Sequence, residues 1–312
     1  GKSISIVIPA YNEERLITPT LQAIPPFVDR IFVVDDASTD GTSAAVVAAA
    51  LKDSRIRKLL HEKNQGPGQG IITGYRESLQ QGYDIAVVIG GDNQMPLDQL
   101  QDLVNPLIDG KADYTKGNRF MAEGTAFSDM PRIRLFGNTI ISLLTKISSG
   151  YYSVFDVVDG YTAITKEAIA KIKWEEAWKG YGYPMDFLMR LNVNGFRVMD
   201  VPRRAIYLEG ERQSQIKGFS YAVKVSPMLL RNFFYRLHTK YLFSNFHPLV
   251  FLYYGGLCLS LLGLCVGAFI VSAKFHGAHP SGATAILCAL LLNLGVQSLF
   301  FAILFDIMEE HR

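Results

Sequence analysis

Ile85-Ala86-Val87-Val88-Ile89-Gly90-Gly91-Asp92-Asn93-Gln94-Met95-Pro96 is an apolar, largely β-branched run that stops at two glycines and then offers Asp92 and Gln94. Bounded by Gly-Gly and Pro, it reads as a buried strand of a parallel sheet. Such a strand cannot carry a carboxylate inside the sheet, so Asp92 is expected just past its carboxyl end. Ligands bind at that edge in open α/β sheets. A carboxylate and an amide oxygen two residues apart can face one hard cation such as Mg²⁺, which keeps waters and takes substrate phosphates as its other ligands. Taken alone, the segment reads equally well as a strand end with a capping Asp.

The residues before it repeat the pattern. Ile4 to Pro9, Ile31 to Val34 and Ile56 to Leu60 are β-rich runs, with helices expected near 15–24, 42–51 and up to about Gln80. This alternation predicts a mostly parallel sheet covered on both faces. Three strand ends carry polar clusters: Pro9 to Glu13 (with Tyr11), the pair Asp35-Asp36, and Asp92 to Gln94. In a parallel sheet they share one edge. Asp40 reads as turn and cap chemistry, whereas one of the adjacent acids is expected to accept hydrogen bonds from a ligand. Asn64 to Gly70 is glycine-rich but lacks the lysine and spacing of a P-loop. It reads as a backbone wall of a nucleotide pocket.

Beyond the central strand, residues 113–120 predict another strand ending in Arg119. Ile133, Phe136, Ile140, Leu144 and Ile147 form an amphipathic stripe flanked by Arg132, Arg134 and Lys146. A helix over about 132–148 therefore faces either the core or a membrane interface. Asp156, Asp159 and Asp186 fall on loops. From Arg212 to Phe305 there is no acid. Residues 212–243 interleave Arg212, Lys217, Lys224, Arg231, Arg236 and Lys240 with aromatic and aliphatic side chains, the pattern of a basic segment at headgroup level.

Pro248 to Ala273 and Phe275 to Phe305 carry no Asp, Glu, Lys or Arg. They predict two membrane spans, about 248–272 and 280–305, forming a hairpin over 247–308. The basic residues ahead of the first span favour a multi-pass membrane protein with its α/β domain and both termini in the cytoplasm. Gly256, Ser260, Gly263 and Gly267 form a helix-packing face. Asn293 and Gln297 share one side of the second span and predict an interhelical or intersubunit contact, and so a homo-oligomer as one outcome. The chain enters a strand almost at once, so no signal peptide is expected. Cys258, Cys265 and Cys288 lie in the apolar tail without metal spacing. A formal charge of +2 over 312 residues argues against a nucleic-acid partner.

Ile-Pro-Ala-Tyr-Asn-Glu-Glu from Ile8, Val-Val-Asp-Asp-Ala-Ser-Thr-Asp-Gly-Thr from Val33, the acidic strand end at Asp92 and Lys-Gly-Asn-Arg-Phe from Lys116 together resemble the family 2 glycosyltransferases of GT-A fold. Within them the resemblance is to the dolichyl- and polyprenyl-phosphate sugar synthases. It runs in order from residue 1 to about 240, and the tail is similar to that of members with two spans. It implies an α/β GT-A domain over 1–211 and transfer from a nucleotide-diphosphate sugar to a polyprenyl or dolichyl phosphate, with Mg²⁺ or Mn²⁺. By position it implies that Pro9, Tyr11, Glu13, Asp36 and Asp92 meet the nucleotide. Asp92 and Gln94 would hold the metal. Arg119 and Arg132, with Arg134, would meet the acceptor phosphate. Arg212, Ser214 and Lys217 fall near a basic motif of that family, in altered order. The usual Asp-x-Asp is Gly90-Gly91-Asp92 here, so the first acid is missing.

A lipid phosphate is already ionised near neutral pH and needs arginine forks rather than a base. A sugar-hydroxyl acceptor, as in a polysaccharide synthase, would need a base. Asp186, then Asp159 or Asp156, would supply it; on the phosphate reading Asp186 positions the acceptor. A third reading, an inactive nucleotide-sugar sensor, takes its motive from the missing acid.

Overall fold

The apolar runs become strands β1 (Ile4–Ala10), β2 (Arg30–Asp35), β3 (Ile56–Leu60) and β4 (Ile85–Val88), followed by β5 (Tyr114–Asn118), β6 (Thr162–Thr165) and β7 (Val198–Pro202). In the computed structural model they form one sheet, ordered β3-β2-β1-β4-β6-β5-β7. The structure describes residues 1–121, 132–206, 218–243 and 246–310. The chain divides into two units, Gly1–Phe233 and Phe234–Arg312.

Pairing is parallel between β3, β2, β1 and β4. β6 then runs antiparallel to both β4 and β5, and β7 is parallel to β5. Successive side chains of a strand point to opposite faces. Val7, Phe32, Val34, Ala86 and Val88 accordingly pack on one face with Ile71, Ile72 and Tyr75 of α3 (Pro67–Gln80). Ile6, Ile8, Ile31, Val33 and Val87 pack on the other with Ile17 of α1 (Ile17–Gln22), Val46 of α2 (Thr42–Ala50) and Leu100 of α4 (Leu100–Ile108). With both faces of β1, β2 and β4 covered, these strands present polar groups to a ligand at their ends.

Two further helices of this unit leave apolar side chains outside. In α5 (Arg132–Ser149), Ile140, Leu143 and Leu144 are exposed, while Ile141, Thr145 and Ser148 are buried. Ser148 donates to the Leu229 carbonyl at 2.9 Å. Part of the stripe that the sequence assigns to either core or interface therefore points outward. α6 (Lys166–Lys171) and α7 (Tyr183–Val193) precede α8 (Gly218–Arg236). In α8, Val225, Met228, Leu229 and Asn232 face the core, and Val223, Lys224, Leu230 and Arg231 face out.

In the second unit, a π-helical stretch (Leu237–Phe243) precedes α9 (Leu249–Phe275) and α10 (Gly282–Glu310). Both long helices are long and apolar enough to cross a membrane. They pack through small residues: a Cβ on Gly256 would lie 2.8 Å from Leu299, one on Gly263 2.8 Å from Leu292, and one on Gly295 2.4 Å from the Ser260 hydroxyl. Asp306, on α10, is buried and takes both arms of the Arg236 guanidinium at 2.7 and 2.6 Å. It also accepts from the Tyr241 and Tyr253 hydroxyls. Asn293 and Gln297 lie on the face of α10 away from α9, both exposed. The hairpin therefore does not supply the contact expected of them.

Candidate active site

β1, β2 and β4 end side by side and present their polar clusters at one edge. The loop after β1 is tied to the loop after β2 by short hydrogen bonds. Asn12, in the left-handed region (φ 57°), accepts from the Thr39 amide at 2.9 Å, and the Glu13 amide donates to the Thr42 hydroxyl at 2.8 Å. Asp40 caps the Thr42 amide at 3.0 Å, the turn role read from the sequence. These ties fix Pro9, Tyr11 and Glu13 relative to the Asp35-Asp36 pair. Tyr11 is 42% exposed at this edge, and Glu13 packs against Gly91 at the end of β4.

The two adjacent acids have different partners. Asp36 is buried and accepts from the His61 imidazole at 2.6 Å and from the Gln65 and Gly66 amides at 2.9 and 2.8 Å. It holds the glycine-rich loop in place. Asp35 takes the Ser38 amide at 2.9 Å on one oxygen. Its other oxygen is buried without a hydrogen-bond partner among the described residues. A buried acceptor left unmatched is a place where a further donor would be favourable.

The glycines of that loop serve a close approach of protein to protein. Gly66 (φ +90°) and Gly68 lie against the Trp178–Gly180 backbone, and the Gly68 amide donates to the Lys179 carbonyl at 2.8 Å. A Cβ at Gly68 would stand 2.6 Å from the Trp178 carbonyl oxygen. Gly68→Ala is expected to destabilise the protein by roughly 1–3 kcal/mol through overpacking. At Gly137, in α5 with nothing within 4 Å among the described residues, alanine is expected to stabilise by about 0.5–1 kcal/mol. Urea denaturation of both variants checks the pair.

Asp92 is half-buried at the end of β4 and accepts from the Gln94 amide at 3.3 Å. Burial pushes its carboxyl above the usual range, against the pull of the Gln94 and Asp92 amides and the Arg203 charge, with Asp159 adding to the rise. A carboxylate held there gains from a cation. A Cβ on Gly90 would lie 2.7 Å from Asp92 Oδ1. The Asp92 carboxylate thus occupies the space that a side chain at the missing-acid position would need. Among the described residues no group of three or more His, Cys, Asp or Glu side chains is placed to hold a metal. One carboxylate and the Gln94 amide oxygen still fit Mg²⁺, which takes one or two protein oxygens and fills its shell with phosphate and water.

Next to Asp92 lies a buried cluster of alternating charge. Asp159 accepts from Arg203 Nε at 2.5 Å and lies 3.9 Å from Arg119 Nε. Arg119 forks onto Asp156 at 2.7 and 2.9 Å. Lys116, wholly buried, donates to the Asp159 carbonyl. Burial alone would raise the Asp159 carboxyl, but Arg203, Arg119 and Lys116 outweigh it and hold the group below the usual range. Burial pushes the Lys116 ammonium down, with Asp159, Asp156 and Asp200 pushing back.

Asp186, expected on a loop, lies instead in the first turn of α7, which Pro184 opens, and it is also fully engaged. It accepts from the Trp178 amide at 2.9 Å, from Arg190 at 2.8 Å and from Asn232 of α8 at 2.9 Å. Arg132 and Arg134 fall in the first turn of α5, with side chains outside the described residues, as are Arg212, Ser214 and Lys217 altogether. Sequence reasoning missed Arg203 and Lys116. A signal for Arg203 was present: Val198-Met199-Asp200-Val201-Pro202 runs into Arg203-Arg204, a strand ending in charge as at Asp35-Asp36.

Residues 5–173 match the family model described as Glycosyl transferase family 2. The UDP-N-acetylglucosamine–dolichyl-phosphate N-acetylglucosaminyltransferase of Methanococcus voltae is 28% identical over 76% of this chain and 95% of its own length. The polyprenol monophosphomannose synthase of Mycolicibacterium smegmatis is 31% identical over 63% of this chain and 75% of its own. Among solved structures, the glucosyl-3-phosphoglycerate synthase of M. tuberculosis superposes with a TM-score of 0.54 at 20% identity, covering 76% of this chain and 81% of that one. That likeness supports the GT-A-like fold.

Proposed function

The chain belongs to glycosyl transferase family 2, and from that membership we propose that it moves a hexose from a nucleotide-diphosphate sugar, UDP- or GDP-linked, to a polyprenyl or dolichyl phosphate at a membrane surface. The observation that favours this acceptor over a sugar hydroxyl is the state of the three candidate bases. Asp156 is forked by Arg119, Asp159 is paired with Arg203, and Asp186 is buried against Arg190 and Asn232. Both oxygens of each carboxylate already accept from donors of the chain, so none is turned towards an acceptor hydroxyl. A phosphate acceptor needs none. The names of the relatives from M. voltae and M. smegmatis point the same way.

On this reading Pro9, Tyr11 and Glu13 line the base and ribose side. Asp36 orders the glycine-rich wall, and the open oxygen of Asp35 is the neighbouring acceptor for a donor group on the nucleotide. Asp92 and Gln94 hold Mg²⁺ or Mn²⁺, which when bound supplies Lewis-acid stabilisation of charge developing on the diphosphate. Arg119 and Arg132, with Arg134, draw the acceptor phosphate beside the donor. Arg212, Ser214 and Lys217 extend that cationic surface. Asp186 positions the acceptor side by tying the Trp178 segment and α7 to α8. Direct displacement at the anomeric carbon inverts its configuration. The two apolar helices span the bilayer with the catalytic unit and both termini on the cytoplasmic side. The outward apolar residues of α5 and α8 rest at headgroup level, raising the local concentration of acceptor.

The test offers purified protein in liposomes a panel of UDP- and GDP-sugars with polyprenyl phosphate, free polyprenol or an oligosaccharide. Transfer with inversion to the phosphate alone is expected. Comparable turnover on polyprenol or oligosaccharide would overturn the acceptor assignment. Nucleotide-sugar binding with no turnover on any acceptor would favour a sensor.

A further inference from the structure

Tyr183 is the first residue of α7, held between Pro184 and buried Gly182. A Cβ on Gly182 would lie 3.2 Å from Val225 and 3.4 Å from Met228, so α8 fixes the backbone from which the tyrosine springs. The near end of its side chain packs on the glycine-rich loop: a Cβ on Gly68 would stand 2.9 Å from Tyr183 Cβ. The ring meets Phe187 with centroids 5.3 Å apart. The far end reaches the loop before β6, where a Cβ on Gly160 would lie 2.6 Å from the phenol oxygen and 3.8 Å from Met95 Cε. A Cβ on Gly90, in turn, would lie 3.6 Å from Met95 Cε and 2.7 Å from Asp92 Oδ1. Tyr183 thus runs from the wall of the nucleotide pocket towards the corner that carries Asp92. It is half-buried, and its hydroxyl has no hydrogen-bond partner among the described residues. A phenylalanine would keep the ring contacts, so packing does not explain the oxygen, and a partly desolvated hydroxyl favours a partner.

Resting on the reading of this edge as a nucleotide-diphosphate sugar site, we propose that Tyr183 determines donor specificity: its hydroxyl donates a hydrogen bond to a hydroxyl of the transferred hexose. On that reading the nucleotide lies along the ends of β1 and β2 and the glycine-rich loop, and the diphosphate lies at Asp92. The hexose is the part left to pass Gly160. The surroundings of the phenol separate the two candidate partners. Burial pushes it well above its usual range, and the charged groups that add to the rise, Asp159 and Asp92, are both acids. It stays an O–H donor. A phosphate oxygen would bring further negative charge towards those acids, whereas a sugar hydroxyl is neutral, accepts from the phenol and keeps its own proton to donate onward. Gly160 supplies the room, because a side chain there would meet the phenol oxygen. A site built to hydrogen-bond a substrate hydroxyl discriminates against the analogue that lacks it.

The test is isothermal titration of the full chain with UDP, GDP and a panel of their sugar conjugates, in the presence of Mg²⁺. Wild type comes first: if it binds no sugar nucleotide, the proposed function falls and this inference with it. For a sugar nucleotide that it binds, Tyr183→Phe is expected to weaken binding roughly three- to tenfold, the worth of one neutral hydrogen bond. Binding of the free nucleoside diphosphate is expected to stay unchanged. Gly160→Ala displaces the hydroxyl without altering Tyr183 and is expected to give the same sugar-selective loss. Donors lacking one sugar hydroxyl at a time identify the partner. One of them is expected to bind wild type as weakly as the parent donor binds Tyr183→Phe, with no further loss in the variant. With wild-type binding and transfer intact, three results would each overturn this inference alone: Tyr183→Phe indistinguishable from wild type for every donor, an equal loss for the free diphosphate, or a loss that adds in full to that of every deoxy donor.

Discussion

Asp92→Asn is expected to lower transfer on the order of 10²–10³-fold, the loss typical of removing one electrostatic stabiliser of a leaving group, while raising the thermal stability of the metal-free protein. The two effects share one cause. Asp92 is held in a setting that penalises its charge: burial lifts its carboxyl above the ordinary 3.8, and Asp159 adds to the rise. A carboxyl whose folded value is raised destabilises the folded state once ionised, so a neutral amide relieves that cost at neutral pH. The site is therefore at odds with itself until a cation arrives. Proton and metal should compete for the same oxygens. At low Mg²⁺ the acid limb of the pH–rate profile is expected above the usual carboxylate range, moving to lower pH as Mg²⁺ is raised. A melting temperature unchanged or lowered in Asp92→Asn, or an acid limb insensitive to Mg²⁺, would break the link between burial and function.

The first half of the sheet and its ligand edge were legible because parallel buried strands announce themselves. Ile85 to Ile89 is apolar on both faces and Ile4 to Pro9 is so except for Ser5, and each ends in a polar cluster that has no place inside a sheet. The second half was not. β6 is four residues, Thr-Ala-Ile-Thr, too short to show a period, and β7 mixes exposed and buried positions without alternation. Their positions come from pairing with β5, a long-range contact that local pattern does not encode. Arg203 was missed for that reason. It matters only because β7 lies beside β5 and brings its guanidinium against Gly117 and onto Asp159. Asp35 and Asp36 show the same limit at finer grain. Adjacent acids at a strand end are readable as a pair, but which one is consumed by His61 and the Gln65 and Gly66 amides depends on a loop thirty residues on.

Asp159→Asn is expected to cost about 3–5 kcal/mol of folding stability, the range for breaking a buried ion pair from one side. The exposed pair Arg204–Asp98, 2.9 Å apart with both side chains more than half exposed, is expected to contribute about 0–1 kcal/mol. The contrast rests on where the orphaned partner is left. Without Asp98, Arg204 turns to water. Without the Asp159 carboxylate, Arg203 is left charged at a buried position, and wholly buried Lys116 loses one of the acids that hold its ammonium charged. Replacing Arg203 by methionine as well should restore part of the loss, because a neutral pair costs less than a lone buried charge. The pH dependence carries the opposite sign to that of Asp92. A carboxyl held below its unfolded value contributes stability that is fully present above about 3.8 and is lost as pH falls through the lowered folded value. Acid unfolding of the wild-type chain should therefore include a step below pH 3.8 that is absent in Asp159→Asn. Urea titrations at neutral and acid pH read both effects. The cluster would be shown to be passive packing if Asp159→Asn cost no more than Asp98→Asn. Because Asp159 also sets the field at Asp92, the same substitution should move the acid limb of the pH–rate profile downward, which a purely structural residue would not do.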